Sequence, residues 1–492
     1  MRTLLSLFVL CGTAPALTVG AFSIPSFNGI IHADQIAGLD MGAKICNSIA
    51  ALPPTGGTVD ARGFTGVQNT AGCIITKANV KILFGHVNMK LTSAIQISAN
   101  NVTLEGIAPG FSILTNNSTT IGLCAFKPLL QGDDVVRTST CANSLQHSRI
   151  TIRNLEINGN RADKNADGIP CGNGSITAAD CKLGAVGPNG ATGDDIIQNG
   201  YNDTWGNQEL LENVWVHDNW YYGAGFDGNG GPGHTNSKVR GGRFYNNGAY
   251  GLAFNGGVSN SSIDGAAVYS NGDVENVGGI QVNGLSGTNN YYSVANCTVR
   301  GNTNGGINLN NSSFGLVSNN QVSGATGTGI YFSDTNKHQV SIKIIGNNIS
   351  GFPTGINASN AGSTNSQFQI IGNTVRDFSA KGIVSAAANQ ITIDGNIVDT
   401  GTSTSPFDCG IGWSGSNATV VRNKVINIAS ANPVGFIAFA GSSNSVVERN
   451  TTVGVEGVQF KDLGTNTRVC ENFFGNAGNG IHVFNAGGNP LR

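Results

Sequence analysis

Acidic and aromatic side chains are concentrated in one stretch of this 492-residue chain. Residues 156–275 hold 14 of the 29 Asp and Glu residues, whereas the 217 residues that follow hold nine. Three of the four Trp and six of the nine Tyr residues fall in the same stretch. Carboxyl groups for proton transfer beside flat rings that stack on sugars are typical of a carbohydrate site. The alternative is a solvated acidic face with aromatic residues packed under loops.

Other side chains of this stretch complete a candidate site. Removal of a proton from a uronic acid needs a base and a positive group that holds the substrate carboxylate. The basic residues nearest in sequence to Asp227 are Lys238, Arg240 and Arg243. His217 or His234 would carry the proton, although each histidine by itself also fits a structural or surface role. Contacts to substrate are expected from Trp205, Trp220, Tyr222, Tyr250 and Asn255.

A repeat organises the second half of the chain. Eleven copies of a glycine or alanine, a buried-type residue and a short alternating strand begin at residues 225, 253, 279, 306, 329, 355, 382, 410, 435, 457 and 480. Internal repetition at intervals of this length is typical of a solenoid. A series of asparagines runs in phase, and their amides can bond to each other at the ~4.8 Å spacing of neighbouring strands. The series is Asn296, Asn320, Asn347, Asn373, Asn396, Asn423, Asn450 and Asn472.

The leucine-rich repeat is the competing solenoid with this period. It needs about four leucines per copy, and residues 216–492 hold only six. The buried-type positions are instead mostly Ile, Val and Phe, which favour strands. We therefore predict an all-β fold, a single-stranded right-handed parallel β-helix.

The repeat also predicts which side chains face outward, because side chains alternate along a strand. With Phe226 inward, Asp227 faces outward. The outward column is then expected to run through the third residue of each copy, which gives Asp227, Asn255, Gln281, Asn308, Tyr331, Asn357, Val384, Gly412, Ile437, Gln459 and His482. Its only carboxylate stands at the early end, so the site is expected at that end of the helix.

The coil before Asp227 is expected to supply a second carboxylate. In GDDIIQNG, with Ile196 inward, Asp195 faces outward and would stack on Asp227. Such a pair suits a nucleophile and an acid, an acid and a base, or a shared calcium site. A slip of one residue would turn Asp194 outward in place of Asp195.

The N-terminal part of the chain predicts a cap and then coils with long loops. Residues 38–63 indicate a short amphipathic helix, a Pro-Pro break and a first strand. This segment, with its D-x-G-A stretch at Asp40, resembles the start of secreted pectin-lyase-fold proteins, in which a capping helix precedes the first coil. Long polar excursions cover residues 108–147 and 160–193, and regular coils cover 289–492. We expect residues 22–492 to form a single domain.

Two resemblances to enzyme families fall in the acidic stretch. NADGI at 165 and GDDII at 193 are similar to the N-T-D and D-D elements of polygalacturonase-type glycoside hydrolases. That resemblance implies that Asp167, Asp194 and Asp195 are catalytic, as acid and water-activating bases. The G-H-G and R-I-K motifs of that family are absent.

The second resemblance is to mannuronan C5-epimerases and related uronan lyases. It rests on NVWVHDNWYYGAGFDG at 213 and RFYNNGAYGLAFNGG at 243, which are similar to a V-x-H-D-N turn followed by a G-F strand in those enzymes. Their D-P-H motif is absent, and the corresponding coil has Asp195, Ile196 and Ile197.

The first residues predict export. Met1 and Arg2 precede an apolar run from Leu4 to Leu10 and then small residues, which indicates a secretory signal peptide over residues 1–21. A lipoprotein is the alternative, but Cys11 lies early and follows a leucine. The protein is therefore expected outside the cytoplasm, extracellular or periplasmic, where Cys46, Cys73, Cys124, Cys141, Cys171 and Cys181 can pair with sequence neighbours.

Composition limits the partners. A net charge near −2 gives no case for nucleic acid, no other stretch is long and apolar enough for a membrane span, and no Cys/His cluster indicates zinc. We interpret the chain as a secreted hydrolase or lyase, with an epimerase as a further option, that acts on a uronate-type polysaccharide. Calcium is an option as cofactor if the protein is a lyase, and no other cofactor is indicated. A non-catalytic carbohydrate-binding or adhesive protein is the alternative.

Overall fold

The fold is known from a computed structural model that describes most of the chain outside its termini and several loops. The described residues are 29–117, 121–123, 130–132, 135–137, 147–161, 199–204, 206–228, 234–256, 258–273, 276–284, 291–334, 340–360, 366–403, 408–430, 434–455, 457–475 and 483–485.

A short helix caps the first coil, as the sequence predicts. It covers Met41–Ala51, and the Asp40 carboxylate accepts a hydrogen bond from the Ala43 N–H at its start. A short 3-10 helix, Ala33–Gln35, precedes it. The inner face of the α-helix buries Met41, Ile45 and Ile49 against the first coils. The predicted pairing of neighbouring cysteines is confirmed at Cys46 and Cys73, which form a disulfide between the helix and the coil below it.

The strands form three long sheets whose neighbouring strands are all parallel. Sheet 1 has 16 strands: Ile30–His32, Gly57–Ala61, Val80–Phe84, Val102–Glu105, Ile150–Arg153, Leu210–Glu212, Lys238–Arg240, Ser261–Asp264, Tyr291–Ala295, Phe314–Ser318, Val340–Ile345, Ser366–Ile371, Gln390–Asp394, Ala418–Val421, Val446–Glu448 and Arg468–Cys470. Sheet 2 has 15 strands: Gly66–Thr70, Val87–Leu91, Ser112–Asn116, Glu156–Asn158, Trp215–His217, Arg243–Tyr245, Ala267–Tyr269, Thr298–Arg300, Gln321–Ser323, Asn348–Ser350, Thr374–Arg376, Ile397–Ser403, Lys424–Ser430, Thr451–Val453 and Phe473–Phe474. Sheet 3 has 15 strands: Ile74–Ile75, Ile95–Ile97, Val136–Arg137, Tyr201–Thr204, Ala224–Asp227, Leu252–Asn255, Ile280–Asn283, Ile307–Asn310, Thr328–Asp334, Thr354–Asn360, Lys381–Ala388, Cys409–Gly415, Val434–Ala438, Val458–Asp462 and Val483–Asn485. A separate antiparallel pair joins Ile121–Leu123 to Leu130–Gly132.

From Gly57 onward, each coil contributes one strand to sheet 1, then to sheet 2, then to sheet 3, and the chain is a right-handed parallel β-helix. This confirms the predicted fold. Alternate side chains point into one continuous core, where residues at the same register position stack coil upon coil. Phe226 and Phe254 are such a pair: both are fully buried, and their ring centroids lie 4.8 Å apart.

Asparagine ladders fix two of the corners. One ladder lies at the turn from sheet 1 to sheet 2 and consists of Asn320, Asn347, Asn373, Asn396, Asn423, Asn450 and Asn472. From Asn347 onward, the side-chain oxygen of each member accepts hydrogen bonds from the backbone N–H and the side-chain amide of the member one coil earlier. Asn320, the first member, accepts from the backbone N–H of Cys297. The predicted stacking is therefore confirmed from Asn320 onward. Asn296 lies one residue too early, because Cys297 occupies the ladder position. A second ladder, Asn219, Asn247, Asn271 and Asn302, stacks at the turn from sheet 2 to sheet 3.

The predicted outward column is confirmed for Asp227 with Asn255 and for its middle members, and it is wrong at the two steps that follow Asn255 and Ile437. Its last member, His482, lies outside the described residues. Gln281, Asn308, Tyr331, Asn357, Val384, Gly412 and Ile437 are in register. Asn255, however, pairs with Asn283 rather than Gln281, and Ile437 pairs with Lys461 rather than Gln459. The equivalent of Gly279 is Gly251, which is two residues before the alanine chosen from the sequence. A shift of two residues keeps the same side chains outward, so the alternation gives no sign of it.

Candidate functional site

A polar patch on the outer face of sheet 3 brings together four of the predicted site residues, Tyr222, Asp227, Tyr250 and Asn255. We call it the sheet-3 patch and define it as Arg137, Tyr222, Asp227, Tyr250, Asn255, Gln281, Asn283 and Asn308. Asp227 faces outward and is partly exposed, as predicted, and its register partner on the next strand is Asn255. On the preceding strand its partner is Thr204. The expectation that Asp195 stacks on Asp227 is therefore wrong, because the coil before Asp227 enters sheet 3 at Tyr201–Thr204.

Two tyrosines lie across the sheet-3 patch. The Tyr222 ring covers Gly225: a methyl group on that glycine would lie 3.1 Å from a ring carbon. The hydroxyl of Tyr250 accepts a hydrogen bond of 3.0 Å from Asn308, two strands further along the sheet. The two rings are tilted neighbours with centroids 6.2 Å apart. Burial, together with the neighbouring Tyr221, raises the pKa of Tyr222 well above its usual range. Tyr222 therefore acts as a neutral hydrogen-bonding group.

Buried amide oxygens are the unusual feature of the sheet-3 patch. Asn255 is only 8% exposed, and its Oδ1 has no hydrogen-bond partner among the described residues. The same holds for Oδ1 of Asn283, its register partner, and for Oε1 of Gln281 on the same strand as Asn283. Nearly all buried polar atoms in proteins are hydrogen-bonded, so three adjacent exceptions require an explanation.

Arg137 supplies positive charge to the sheet-3 patch and was missed in the sequence. It occupies an outward position of the strand Val136–Arg137, where it pairs with Asn202. Asn202 in turn pairs with Gly225, two residues before Asp227 on the same strand. Arg137 is therefore two strands from Asp227, at a backbone distance of about 10 Å across the sheet. Its strand has two residues and lies within a long irregular segment, so no periodic signal marks it.

His217 belongs to a second cluster, on the outer face of sheet 2. Its Nδ1 lies 2.7 Å from Oδ2 of Asp218 and its Nε2 lies 3.2 Å from Oε1 of Glu156. Burial disfavours the charged ring, but the hydrogen bonds with Asp218 and Glu156 outweigh it and raise the pKa of His217 to about 9. The ring stacks on Tyr245, which stacks on Tyr269. A histidine that is already protonated at neutral pH is poorly suited to act as a general base.

The predicted basic residues lie away from the sheet-3 patch. Lys238 and Arg240 are exposed on sheet 1, where Arg240 pairs in register with Asp264. Arg243 is exposed on sheet 2, with its guanidinium 4.5 Å from the ring centroid of Trp215. They are near Asp227 in sequence but face other directions, because successive strands of a coil belong to different sheets. None of the three adjoins Asp227 in sheet register.

Two further predicted residues are buried. Trp220 is 6% exposed and lies beside the Arg161 guanidinium, which also pairs with Asp273 at 2.7 Å. His234 is fully buried inside the β-helix, where its Nε2 lies 3.2 Å from Asp203 Oδ2 and its Nδ1 3.7 Å from Glu209 Oε2. Burial and then the charge of Asp203 raise the pKa of Glu209 well above its usual range. His234 thus has no exposed surface from which to reach a substrate.

Several expectations fall on residues outside those described. They are the catalytic candidates Asp167, Asp194 and Asp195, the aromatic residue Trp205, the signal peptide over residues 1–21 and most of the loop at 160–193. In the part of the chain that is described, no helix is long and apolar enough to cross a membrane.

Comparisons with known proteins give the class of the fold. Residues 203–368 match the family model of the right handed beta helix region. The A-module of a mannuronan C-5 epimerase from Azotobacter vinelandii is similar in structure, with 14% identity, coverage of 91% of this chain and 99% of that one, and a TM-score of 0.46.

Two glycoside hydrolases are similar to about the same degree. The catalytic unit of a GH87 α-1,3-glucanase from Streptomyces thermodiastaticus has 14% identity, with 94% of this chain and 69% of that chain covered and a TM-score of 0.45. A Family 28 exopolygalacturonase from Yersinia enterocolitica has 12% identity, with 89% and 78% covered and a TM-score of 0.42. No curated protein matches the chain. At identities this low, the similarity concerns the fold and not the activity.

Proposed function

We propose that the protein binds an acidic polysaccharide along the outer face of sheet 3 and cleaves it, as a hydrolase or a lyase. The observation that carries the proposal is the set of three buried amide oxygens on Asn255, Gln281 and Asn283 that lack a partner among the described residues. Sugar hydroxyls are donors that match such acceptors, and the adjacent tyrosine rings supply apolar contact for a sugar face.

The charges of the sheet-3 patch support an acidic substrate. Arg137 is a planar, permanently charged group that can hold a uronate carboxylate with two parallel hydrogen bonds. Asp227 is then the acid or base that acts at the next sugar unit along the sheet. A mechanism with two carboxyl groups needs a partner for Asp227, and Asp167, Asp194 and Asp195 remain the candidates for that role.

Secretion forms part of the proposal. The disulfide between Cys46 and Cys73 supports it, because such bonds form and persist in oxidising compartments outside the cytoplasm. N-terminal sequencing of the mature protein tests it. A first residue at or near Phe22 is expected, and retention of the apolar leader by a protein in the cytoplasm would contradict it.

A non-catalytic carbohydrate-binding protein is the second candidate. It is favoured by the finding that Asp227 is the one carboxylate at an outward position in the described strands of sheet 3. The same amide and tyrosine groups would then bind a glycan without cleaving it. The two candidates make opposite predictions for product formation and the same prediction for binding.

A substrate screen tests the proposal. Polygalacturonate, alginate and other uronans are incubated with the protein, with and without calcium, and both reducing ends and the ultraviolet absorbance of unsaturated products are measured. Reducing ends without absorbance indicate a hydrolase, and calcium-dependent absorbance indicates a lyase. Binding without either product supports the second candidate, and failure to bind any uronan overturns the acidic substrate.

A further inference from the structure

Three ionisable side chains meet inside the β-helix, behind the sheet-3 patch. Asp203 lies on the strand Tyr201–Thr204 and points inward, at the register position that Phe226 occupies in the next coil. Glu209 precedes the following strand of sheet 1, and His234 lies in the turn between sheets 3 and 1 one coil later. All three side chains are 0% exposed. Apolar residues fill the equivalent interior position in the next five coils, so this cluster is a local exception.

The three groups are close enough to share one ligand. A nitrogen of His234 and one carboxylate oxygen from each acid all lie within 4.8 Å of one another. Ser237 donates a hydrogen bond of 2.9 Å to Oε2 of Glu209, and this fixes the position of that carboxylate. A nitrogen and two carboxylate oxygens form a common donor set for first-row divalent metals.

The contacts around His234 place acceptors against each other. The Gly206 N–H lies 3.1 Å from its Nε2 and donates to the lone pair of that nitrogen when no cation is bound. Because the nitrogen has one lone pair, a cation bound at Nε2 would replace this hydrogen bond. The Nδ1 lies 3.1 Å from the Ser237 hydroxyl. The Nε2 lies 3.2 Å from the backbone oxygen of Asp203 and 3.2 Å from its Oδ2. Acceptors at this separation repel unless a proton or a metal cation lies among them.

Two independent features point to a ligand in this place. The hydroxyl of Tyr201 and Oε1 of Glu209 are fully buried and have no hydrogen-bond partner among the described residues. Both Asp203 and Glu209 act electrostatically on the Tyr201 hydroxyl, so it lies near the cluster. Gly206 keeps the space between the acids open, since a methyl group there would lie 2.0 Å from Asp203 Oδ2 and 2.5 Å from Glu209 Oε2.

We propose that Asp203, Glu209 and His234 bind one divalent transition-metal cation, Zn²⁺ or Mn²⁺. The imidazole ligand and the small donor set suit these ions better than Ca²⁺, which takes six to eight oxygen ligands. A site without solvent access has a structural role. The cation would join two successive coils and hold the strand Tyr201–Thr204, whose Thr204 pairs with Asp227 on the outer face.

Metal analysis of the full-length protein tests the proposal. Protein expressed with both metals present and then dialysed is expected to hold about one equivalent of Zn²⁺ or Mn²⁺ by elemental mass spectrometry. Removal of the metal with a chelator is expected to lower Tm by about 2 °C or more, and the same metal is expected to restore it. No glycan is needed for these measurements, so their result does not depend on the proposed function.

Variants locate the site. Asp203→Asn and Glu209→Gln keep the shape of the side chains and are each expected to reduce the bound metal at least tenfold. Gly206→Ala removes no ligand and is expected to do the same by filling the space. The matched control is Asp462→Asn, since Asp462 is equally buried at an inward position of sheet 3 but accepts from Gly464 N–H and the Thr467 hydroxyl. Its metal content is expected to be unchanged.

Titration of the chelator-treated wild type decides the matter if the variants fail to fold. A rise in Tm with Zn²⁺ or Mn²⁺ and not with Ca²⁺ supports the proposal. A wild-type protein without metal whose Tm responds to neither ion overturns it and leaves a protonated Glu209 as the way the cluster balances its charge. A response to Ca²⁺ alone also overturns it.

Discussion

His217 stacks on Tyr245 with ring centroids 4.5 Å apart and ring planes 8° apart. Glu156 and Asp218 hold the two ring nitrogens of the same histidine. The stack continues to Tyr269, and the Arg300 guanidinium lies 5.0 Å from the centroid of that ring. The rings face one another along the helix axis, so they present their edges to solvent. This column therefore stabilises the coils that support the sheet-3 patch and does not itself form a flat platform for a sugar.

The stability of the protein is expected to fall as the pH rises from about 6.5 to about 9.5. The pKa of His217 is raised to about 9 in the folded protein, whereas an unfolded histidine titrates near 6.5. Its contribution is complete below the unfolded value and is lost as the pH passes the folded value. The size is at most about 3 kcal/mol. Urea unfolding at a series of pH values, followed by circular dichroism, measures it.

The matched substitutions for this prediction are His217→Gln and His86→Gln. His86 is exposed, so its replacement is expected to leave the pH dependence unchanged. His217→Gln is expected to be less stable at pH 6.5 and to approach the wild type at pH 9.5. A constant stability difference between His217→Gln and the wild type across this range would show that the histidine is not charged in the folded state.

Asp227→Asn is expected to abolish cleavage of a uronan and to leave its binding intact. Loss of a group that transfers a proton costs about 10²-fold to 10⁴-fold in kcat. The side chain is partly exposed at an outward position, so Tm is expected to stay within about 1 °C of the wild type. Initial rates and isothermal titration with the same polymer measure the two effects.

Asp377→Asn is the control for Asp227, because Asp377 is exposed at a distant turn and its left-handed backbone suits asparagine. It is expected to retain full activity. Full activity of Asp227→Asn would remove Asp227 from the mechanism and leave the loop aspartates as the only acids proposed.

Arg137→Gln is expected to weaken binding of a uronan about tenfold to 100-fold, because a charge-assisted hydrogen bond contributes about 1.5–3 kcal/mol. Binding of a neutral glycan of similar length is expected to change little. Arg376→Gln, at an exposed position of sheet 2, is the control for loss of one positive charge. Equal losses for the acidic and neutral glycans would mean that Arg137 supports the fold and not substrate charge.

The fold could be predicted from the sequence because one pattern recurs many times. Residues such as Ile330 and Ile356 recur at the same register position, and each copy confirms the period of its neighbours. The predicted register of the strands was wrong where one copy of the repeat can be aligned with its neighbours in two ways that differ by two residues. Gly223 and Gly225 both lie just before Phe226, so either could be the glycine of the repeat. The structure shows that it is Gly223, which lies against Gly251 of the next coil.

The candidate site could be predicted only in part, because its residues come from irregular segments. Tyr222 and Tyr250 were found from the concentration of aromatic residues in 156–275, and Asn255 was found from its place in the repeat. Glu156 lies 61 residues before His217, and no spacing rule indicates that they meet. Asp203, Glu209 and His234 likewise match no known pattern of metal ligands, because parallel coils bring together residues from different repeats.

The asparagine ladder is expected to be a major source of stability, and two adjacent residues test it. Asn347 is buried and accepts hydrogen bonds from the Asn320 N–H and side-chain amide. It also donates to the Val317 oxygen and to Asn373. Asn347→Ala would leave several of these groups buried without partners, each at a cost of about 1–3 kcal/mol. We therefore expect a loss of about 3 kcal/mol or more in the free energy of unfolding.

Asn348→Ala is the matched control, because Asn348 is the next residue and is exposed on its strand. A change within about 0.5 kcal/mol is expected there. In a solenoid each coil contacts only its neighbours, so the effect of Asn347→Ala is expected to be local. Hydrogen exchange should therefore increase mainly at the coils that carry Asn320, Asn347 and Asn373. Similar stabilities for the two variants would mean that backbone pairing and the apolar core, and not the amide ladder, hold this corner.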